Sequence, residues 1–474
     1  MSATRFRHRL VWQRGRGVLT LLLGVLLIPT VYAAAPAQAL GHTPRGIIYD
    51  LSATPSWTHE FRSAGNGTDT ADDVAITASG AAYVSGSLSN DAGNRDASLM
   101  KLVDGAPAWP APKTYDSPSH KDDSAGVMAF GPGGAVYTAG PATGANGMLD
   151  WLLLKWSASG AVQWARRYDG PTHGTDVPTA IGVDAAGDVT VAGVTLNAGS
   201  EDWVVASWSP SGTVRWTSRL TSVDLHETAP TSVVIAADGS AYATGTDMRT
   251  TGASALTVRY SPSGKVLWKK TYSGPAGLGA TTHASVASPQ GGVYVCGSSA
   301  GTVTGADGLV MSYTPQGARH VFALDTGAGG NTDQRFNDLT VTSTGEVVAV
   351  GSTSAGGADD CRAVSFSVDG TIAGQVTLPG TWDDQFEWVA ADAFGGFYAT
   401  GRYHTAADKV AVLTARGSVL TSGGGFLSLW APAFVSTDNG PNAIAVRGST
   451  AIVVGNCTEG ALHGIDQVVL GYTY

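Results

Sequence analysis

A repeat with a step of about 53 residues limits how this chain can fold more than any other feature. A glycine closing an apolar-rich run recurs at Gly86, Gly140, Gly193, Gly245, Gly297, Gly351, Gly401 and Gly455, at intervals of 50 to 54 residues. A second series, Gly105, Gly160, Gly212, Gly264, Gly317, Gly370 and Gly417, keeps the same step. Such a period marks a repeat architecture, in which each unit buries its apolar face against its neighbours.

Ser232 to Tyr272 is the cleanest copy, and it predicts four strands. Ser232 to Ala236 meets Ser240 to Gly245 across Asp238-Gly239, a tight-hairpin dipeptide; Ala255 to Tyr260 meets Lys265 to Trp268 across a turn at Pro262 and Gly264. That is an antiparallel meander. Eight first-and-second-strand hairpins predict an all-β fold: a single β-propeller of eight four-stranded blades, with seven blades as the alternative.

The two ends complement each other. Gly46 to Asp50 and Ser56 to Phe61 read as third and fourth strands preceding the first full unit. Asn442 to Val446, Ala451 to Gly455 and Asp466 to Tyr474 supply first, second and third strands with no fourth after them. Radially arranged sheets leave an open edge unless the last closes on the first, so the Trp57 strand is expected to complete blade eight. The third-strand candidates near Ile47 and Val468 compete for one place. Units six and seven lack the fourth-strand tryptophan found at Trp57, Trp109, Trp164, Trp216 and Trp268.

Before the repeats lie Arg5, Arg7, Arg9, Arg14 and Arg16, an apolar run from Val18 to Val31, and small residues around Ala37 and Ala39. This reads as a secretory signal peptide over residues 1–39, cleaved after Ala39, with the propeller over 40–474. Removing it deletes five arginines and no acid, so 28 Lys+Arg against 38 Asp+Glu becomes 23 against 38, a net charge of −15 instead of −10. An acidic surface without a basic cluster argues against nucleic-acid and peripheral-membrane roles. Cys296, Cys361 and Cys457 are too few and too scattered for a disulfide framework, the last two being placed in or beside loops.

The repeated residues carry a family resemblance. A D-x-A-x-x-x-x-G-x-x-Y-x-x-G run followed by L/V-x-x-[YW]-S-x-x-G-x-x-x-W, best seen in blades two to five, resembles the bacterial β-propeller repeat family called SBBP. The match spans nearly all of the region after residue 39. The resemblance implies a secreted or surface propeller and no shared catalytic residues. A second likeness, to the tryptophan-docked repeats of quinoprotein dehydrogenases, lacks the adjacent cysteine pair that covers the quinone.

Chemistry is expected in what varies, the loops between strands two and three and between strand four and the next strand one. His120, His173 and His226 lie 20, 20 and 19 residues before their closing glycines, with Asp122, Asp123, Asp176 and Glu227 nearby; His283 lies five positions out of register. His120, Asp123, His173, Asp176, His226 and Glu227 are therefore the candidate binding residues. Histidine with carboxylate suits a divalent cation or acid–base work on a polysaccharide. Against this, Asp or Asn recurs before strand one in most units, including Asp72, Asp73, Asp333, Asp383 and Asp384, as a turn or cap would require.

The expected function is a binding or scaffold module for an extracellular glycan, peptide or protein, monomeric and without an organic cofactor, and exposed aromatics on the loop face would favour it. The alternative is a carbohydrate-active lyase or hydrolase using the histidine face, with or without a metal.

Overall fold

The computed structural model describes residues 55–473 apart from short segments at 64–66, 198–199, 222–224, 250–251, 302–304, 326–332, 355–356, 381, 407–408, 419–425, 431–434, 437–439 and 459–464. The leader expected over 1–39 and the strand expected at Gly46 to Asp50 lie outside the described residues.

Eight antiparallel sheets follow one another around a ring, which settles the blade count at eight instead of seven. Blade four shows the plan: Leu225–Ile235, Ala241–Arg249, Gly252–Tyr260 and Val266–Tyr272, joined in sequence order. Blade eight is composite. Pro441–Arg447, Thr450–Thr458 and Ile465–Thr473 come from the end of the chain, and Trp57–Phe61 adds the fourth strand, pairing Trp57 with Gly471 and Phe61 with Gln467.

One outer strand is interrupted. In blade one, Ala106–Pro107 and Lys113–Tyr115 both pair with Arg95–Val103, and Trp109 falls in the gap between them. Pro107, Pro110 and Pro112 cannot donate to a ladder, so only an edge strand can carry them. In blade seven Phe426–Trp430 and Val435–Ser436 both pair with Lys409–Ser418, on either side of residues that are not described.

The core lies at the seams. Tyr137, Ala139, Trp151 and Leu153 of blade two pack with Val189, Val191, Val204 and Trp208 of blade three. At the closing seam Ala71, Met100 and Leu102 meet Ala443, Ile452, Val454 and Val469, with Trp57 and Phe61 against them. Cys296 and Cys361 are buried free thiols in this core. Cys361 belongs to the strand Asp359–Phe366 and Cys457 to Thr450–Thr458, which corrects their placement beside loops; at Cys361 a small residue fits where neighbouring sheets touch.

Seam bonds explain the recurrent aromatics. Trp164 Nε1 donates to the Pro210 carbonyl at 3.0 Å, Trp216 to Pro262 at 3.0 Å and Trp268 to Pro315 at 2.9 Å, each reaching the hairpin of the following blade. The strand-two tyrosines do the same: Tyr137, Tyr242 and Tyr398 hydroxyls reach the carbonyls of Gly187, Gly291 and Ser449, each at 3.2 Å. Trp268→Phe keeps most of the packing and loses the N–H, so a cost of about 1 kcal/mol is expected in denaturant melts; Trp268→Ala should cost about 3 kcal/mol.

A bulge in the first strand of seven blades aims one side chain at the next blade. Thr179, His283, Asn337 and Asn442 donate to the carbonyls of Pro230, Phe336, Phe386 and Ala71, at 2.6, 2.8, 2.8 and 2.7 Å. His283 is thus a seam residue: the carbonyl can only accept, so Nδ1 carries the proton. Its offset from the other histidines follows from standing at the bulge, not in the loop.

Candidate functional site

The loops entering blades two and three are copies of one another. Tyr115-Asp116-Ser-Pro118-Ser119-His120 and Tyr168-Asp169-Gly-Pro171-Thr172-His173 each end in a turn, with the histidine N–H donating to the carbonyl three residues back, Ser117 or Gly170. Both histidines adopt left-handed backbone, φ 49° and 53°. Their Nδ1 atoms bond the Asp116 and Asp169 carboxylates at 2.6 and 2.7 Å. That bond to a carboxylate raises each imidazole's pKa above the ordinary histidine value. The remaining polar groups hold the loop itself. Ser119 and Thr172 donate to the carbonyls of Thr143 and Leu196, and the histidine carbonyls accept from Asn94 and Asn146 Nδ2.

Asp123 and Asp176 face inward. They stand 17 residues before their closing glycines, as Asp69 and Asp384 do, and all four are at most 1% exposed. Asp123 accepts the Ser117 N–H at 2.6 Å; Asp176 accepts the Gly170 N–H and the Thr195 hydroxyl. Asp69 takes the N–H groups of Ser63 and Ser89. These are caps, the role that the recurrence of Asp before strand one suggests for other aspartates and that the binding candidates Asp123 and Asp176 fill here. Burial pushes Asp123 up to about 6, against the opposing pull of the Ser117 bond, and raises Asp176 in the same way.

His226 and Glu227 do not repeat this loop. In blade four the first strand already runs from Leu225, so the chain at both positions is extended, and their side chains lie outside the described residues.

Asp150, Asp169 and His404, which the sequence does not single out, join residues that it does. Asp150, Asp169 and Asp176 bring carboxylate oxygens within 4.8 Å of one another, and these three could reach a divalent cation together. Their charge is already countered by Arg167, 2.6 Å from Asp150, and by His173 on Asp169. In blade seven the buried Asp384 carboxylate accepts both the N–H of His404, at 2.7 Å, and its Nδ1, at 3.0 Å. The repeated Asp-x-Pro-Ser/Thr-His run was the available signal for Asp116 and Asp169; nothing local marks His404 or Asp150. The exposed aromatic among the described residues, Phe394 at 72%, sits in the hairpin between strands one and two of blade seven, on the face opposite these loops.

No protein-family profile and no curated protein matches the chain. Among solved structures it is similar to Sqt1 of Chaetomium thermophilum, at 14% identity and TM-score 0.53, covering 86% of this chain and 96% of that one. The same protein bound to the N-terminus of ribosomal protein L10 gives 14% identity and TM-score 0.53, over 88% and 98%. A looser likeness, 11% identity and TM-score 0.43 over 88% and 96%, is to a family PL25 ulvan lyase. At these identities the likeness is one of fold: the chain is a β-propeller.

Proposed function

We propose that this protein is a secreted propeller of the SBBP repeat type that acts as a binding or scaffold module, its loop face holding an extracellular glycan, peptide or protein. One observation carries this reading: His120 and His173 each pair with a carboxylate of their own loop, so each loop carries its own imidazole–carboxylate pair and the two tips are equivalent. A single-centre reaction needs its acid and base around one reacting atom; repeated tips suit an extended ligand.

A second reading, a carbohydrate-active lyase or hydrolase, draws on the Asp384–His404 pair. A fully buried carboxylate there orients an imidazole whose side chain is 20% exposed. Purified residues 40–474 should bind members of a panel of neutral and acidic polysaccharides and of extracellular peptides, without releasing unsaturated products or new reducing ends. Product release abolished by His404→Ala, and unaffected by changes at His120 and His173, would replace the first reading by the second. Dependence of that release on added divalent metal would place the cation at the acidic face.

A further inference from the structure

The turn that holds His120 and His173 does not need a histidine. In blade five the equivalent run is Tyr272-Ser-Gly274-Pro275-Ala-Gly277, also 20 residues before its closing glycine. Gly277 has φ 75°, and its N–H reaches the carbonyl three residues back, as in the other two loops. A left-handed position favours glycine, and a side chain there costs conformational energy. Blades two and three nevertheless place imidazoles in this position. Their side chains are 75% and 72% exposed, and with Nδ1 committed to an aspartate only Nε2 faces solvent. The surrounding serine, threonine and asparagine groups are already engaged in the loop. The free chemistry of each tip is therefore one imidazole Nε2, an acceptor on the neutral ring and a donor on the protonated one, beside one partly exposed carboxylate, Asp116 or Asp169.

A hydroxyl group donates to the carboxylate or to Nε2 of a neutral ring, and accepts from Nε2 of a protonated one, so it suits the tip in either state. Polyanions are disfavoured by the chain's net charge of −10 and by the partly exposed carboxylates of Asp116 and Asp169 at the tips themselves. No exposed aromatic platform stands among the described residues of this face, so recognition relies on hydrogen bonds and not on an apolar peptide anchor. Resting on the binding reading above, we propose that the His120 and His173 loops form a twin site for a neutral polysaccharide, each imidazole–aspartate pair taking hydroxyl groups from a successive stretch of the same glycan chain. Two weak contacts on one chain act by avidity, so ligand length matters.

The glycine of blade five supplies the test. His120→Gly, His173→Gly and the double variant should keep the wild-type melting temperature, and His120→Asn with His173→Asn, which also tolerates the left-handed turn, provides a second set. Affinity electrophoresis against dextran, mannan, galactomannan and starch should show retention by at least one. Each single variant should weaken retention at least fivefold, and the double variant should abolish it. Trisaccharides of the retained polymer should bind wild type and single variants alike, and weakly. Retention of a neutral glycan that both variant sets leave unchanged would overturn the twin site while the binding reading stands. Preference for pectin or another polyanion would also overturn it. Binding of peptides but of no glycan would overturn it too, and would leave the module a protein binder; binding of nothing in either panel would remove the module reading itself.

Discussion

A chain beginning at residue 63 is expected to lose its single thermal transition and to aggregate on concentration, although every other strand is intact. The missing segment contains the outer strand of blade eight, so the ladder of Ile465–Thr473 becomes an open edge beside an unfinished seam. Trp57 and Phe61 leave the cluster that joins blades eight and one, a loss of roughly 3 kcal/mol for the tryptophan alone. Arg62 is removed with them, and with it the ion pair to Asp466 at 2.9 Å. The seam keeps Gln467, 1% exposed, whose Nε2 donates to the Thr70 and Ser87 carbonyls at 2.8 and 3.0 Å. Gln467→Ala should therefore cost less, about 1–3 kcal/mol, in a chain that stays soluble. Melting by circular dichroism and size-exclusion chromatography compare the two, and wild-type behaviour of the truncation would mean that the Trp57 strand does not close the ring.

The ring was legible because its determinants are periodic. Glycines at fixed steps and fourth-strand aromatics follow from geometry that every blade must satisfy, and a single sequence displays that redundancy eight times over. The closing strand was legible for the same reason, as a fourth strand without its own blade. The site was less so. His120 and His173 stand in register, but Asp123 and Asp176, grouped with them by nearness in sequence, are buried beneath the same loops, where they accept the Ser117 and Gly170 N–H groups. His283 was displaced by a bulge that no residue type announces, and His404 meets Asp384 only through the pairing of two strands. Contacts made across sheets leave no spacing signal.

Asp123→Asn is expected to stabilise the fold at pH 7 by roughly 1–3 kcal/mol, each pKa unit being worth about 1.4 kcal/mol. In the folded chain burial holds this carboxyl at about 6, against 3.8 for an ordinary aspartate. Between those values the folded state binds the extra proton, so stability rises as pH falls from 7 toward 4 and declines as pH rises through 6. The sign is opposite to that of an aspartate stabilised by a salt bridge. Asp96, Asp150, Asp176 and Asp384 are raised by burial and act in the same direction. His120 and His173 add to it, since a raised histidine contributes stability at low pH that is lost as pH climbs through its folded value. The lowered Asp238 and Asp369 lose their contribution only below the ordinary carboxylate range. Asparagine keeps an oxygen for the Ser117 N–H and has no charge to bury, so the variant should show a flatter curve of urea midpoint against pH. A variant less stable than wild type at pH 7, with an unchanged pH curve, would mean that Asp123 is held ionised at no cost.

The bonds from Trp164, Tyr242 and Asn442 each run from one blade to its successor. Each junction is heterologous, one surface of a unit meeting a different surface of the next, and such junctions polymerise without end unless the turn made at each one divides a full circle. Ring size is then a property of the junction angle and not of any blade. A fragment of four consecutive blades would carry one unused surface of each kind, and two copies of it contain every contact needed to rebuild the circle; a ninth blade spliced in would leave all nine junctions sharing the misfit.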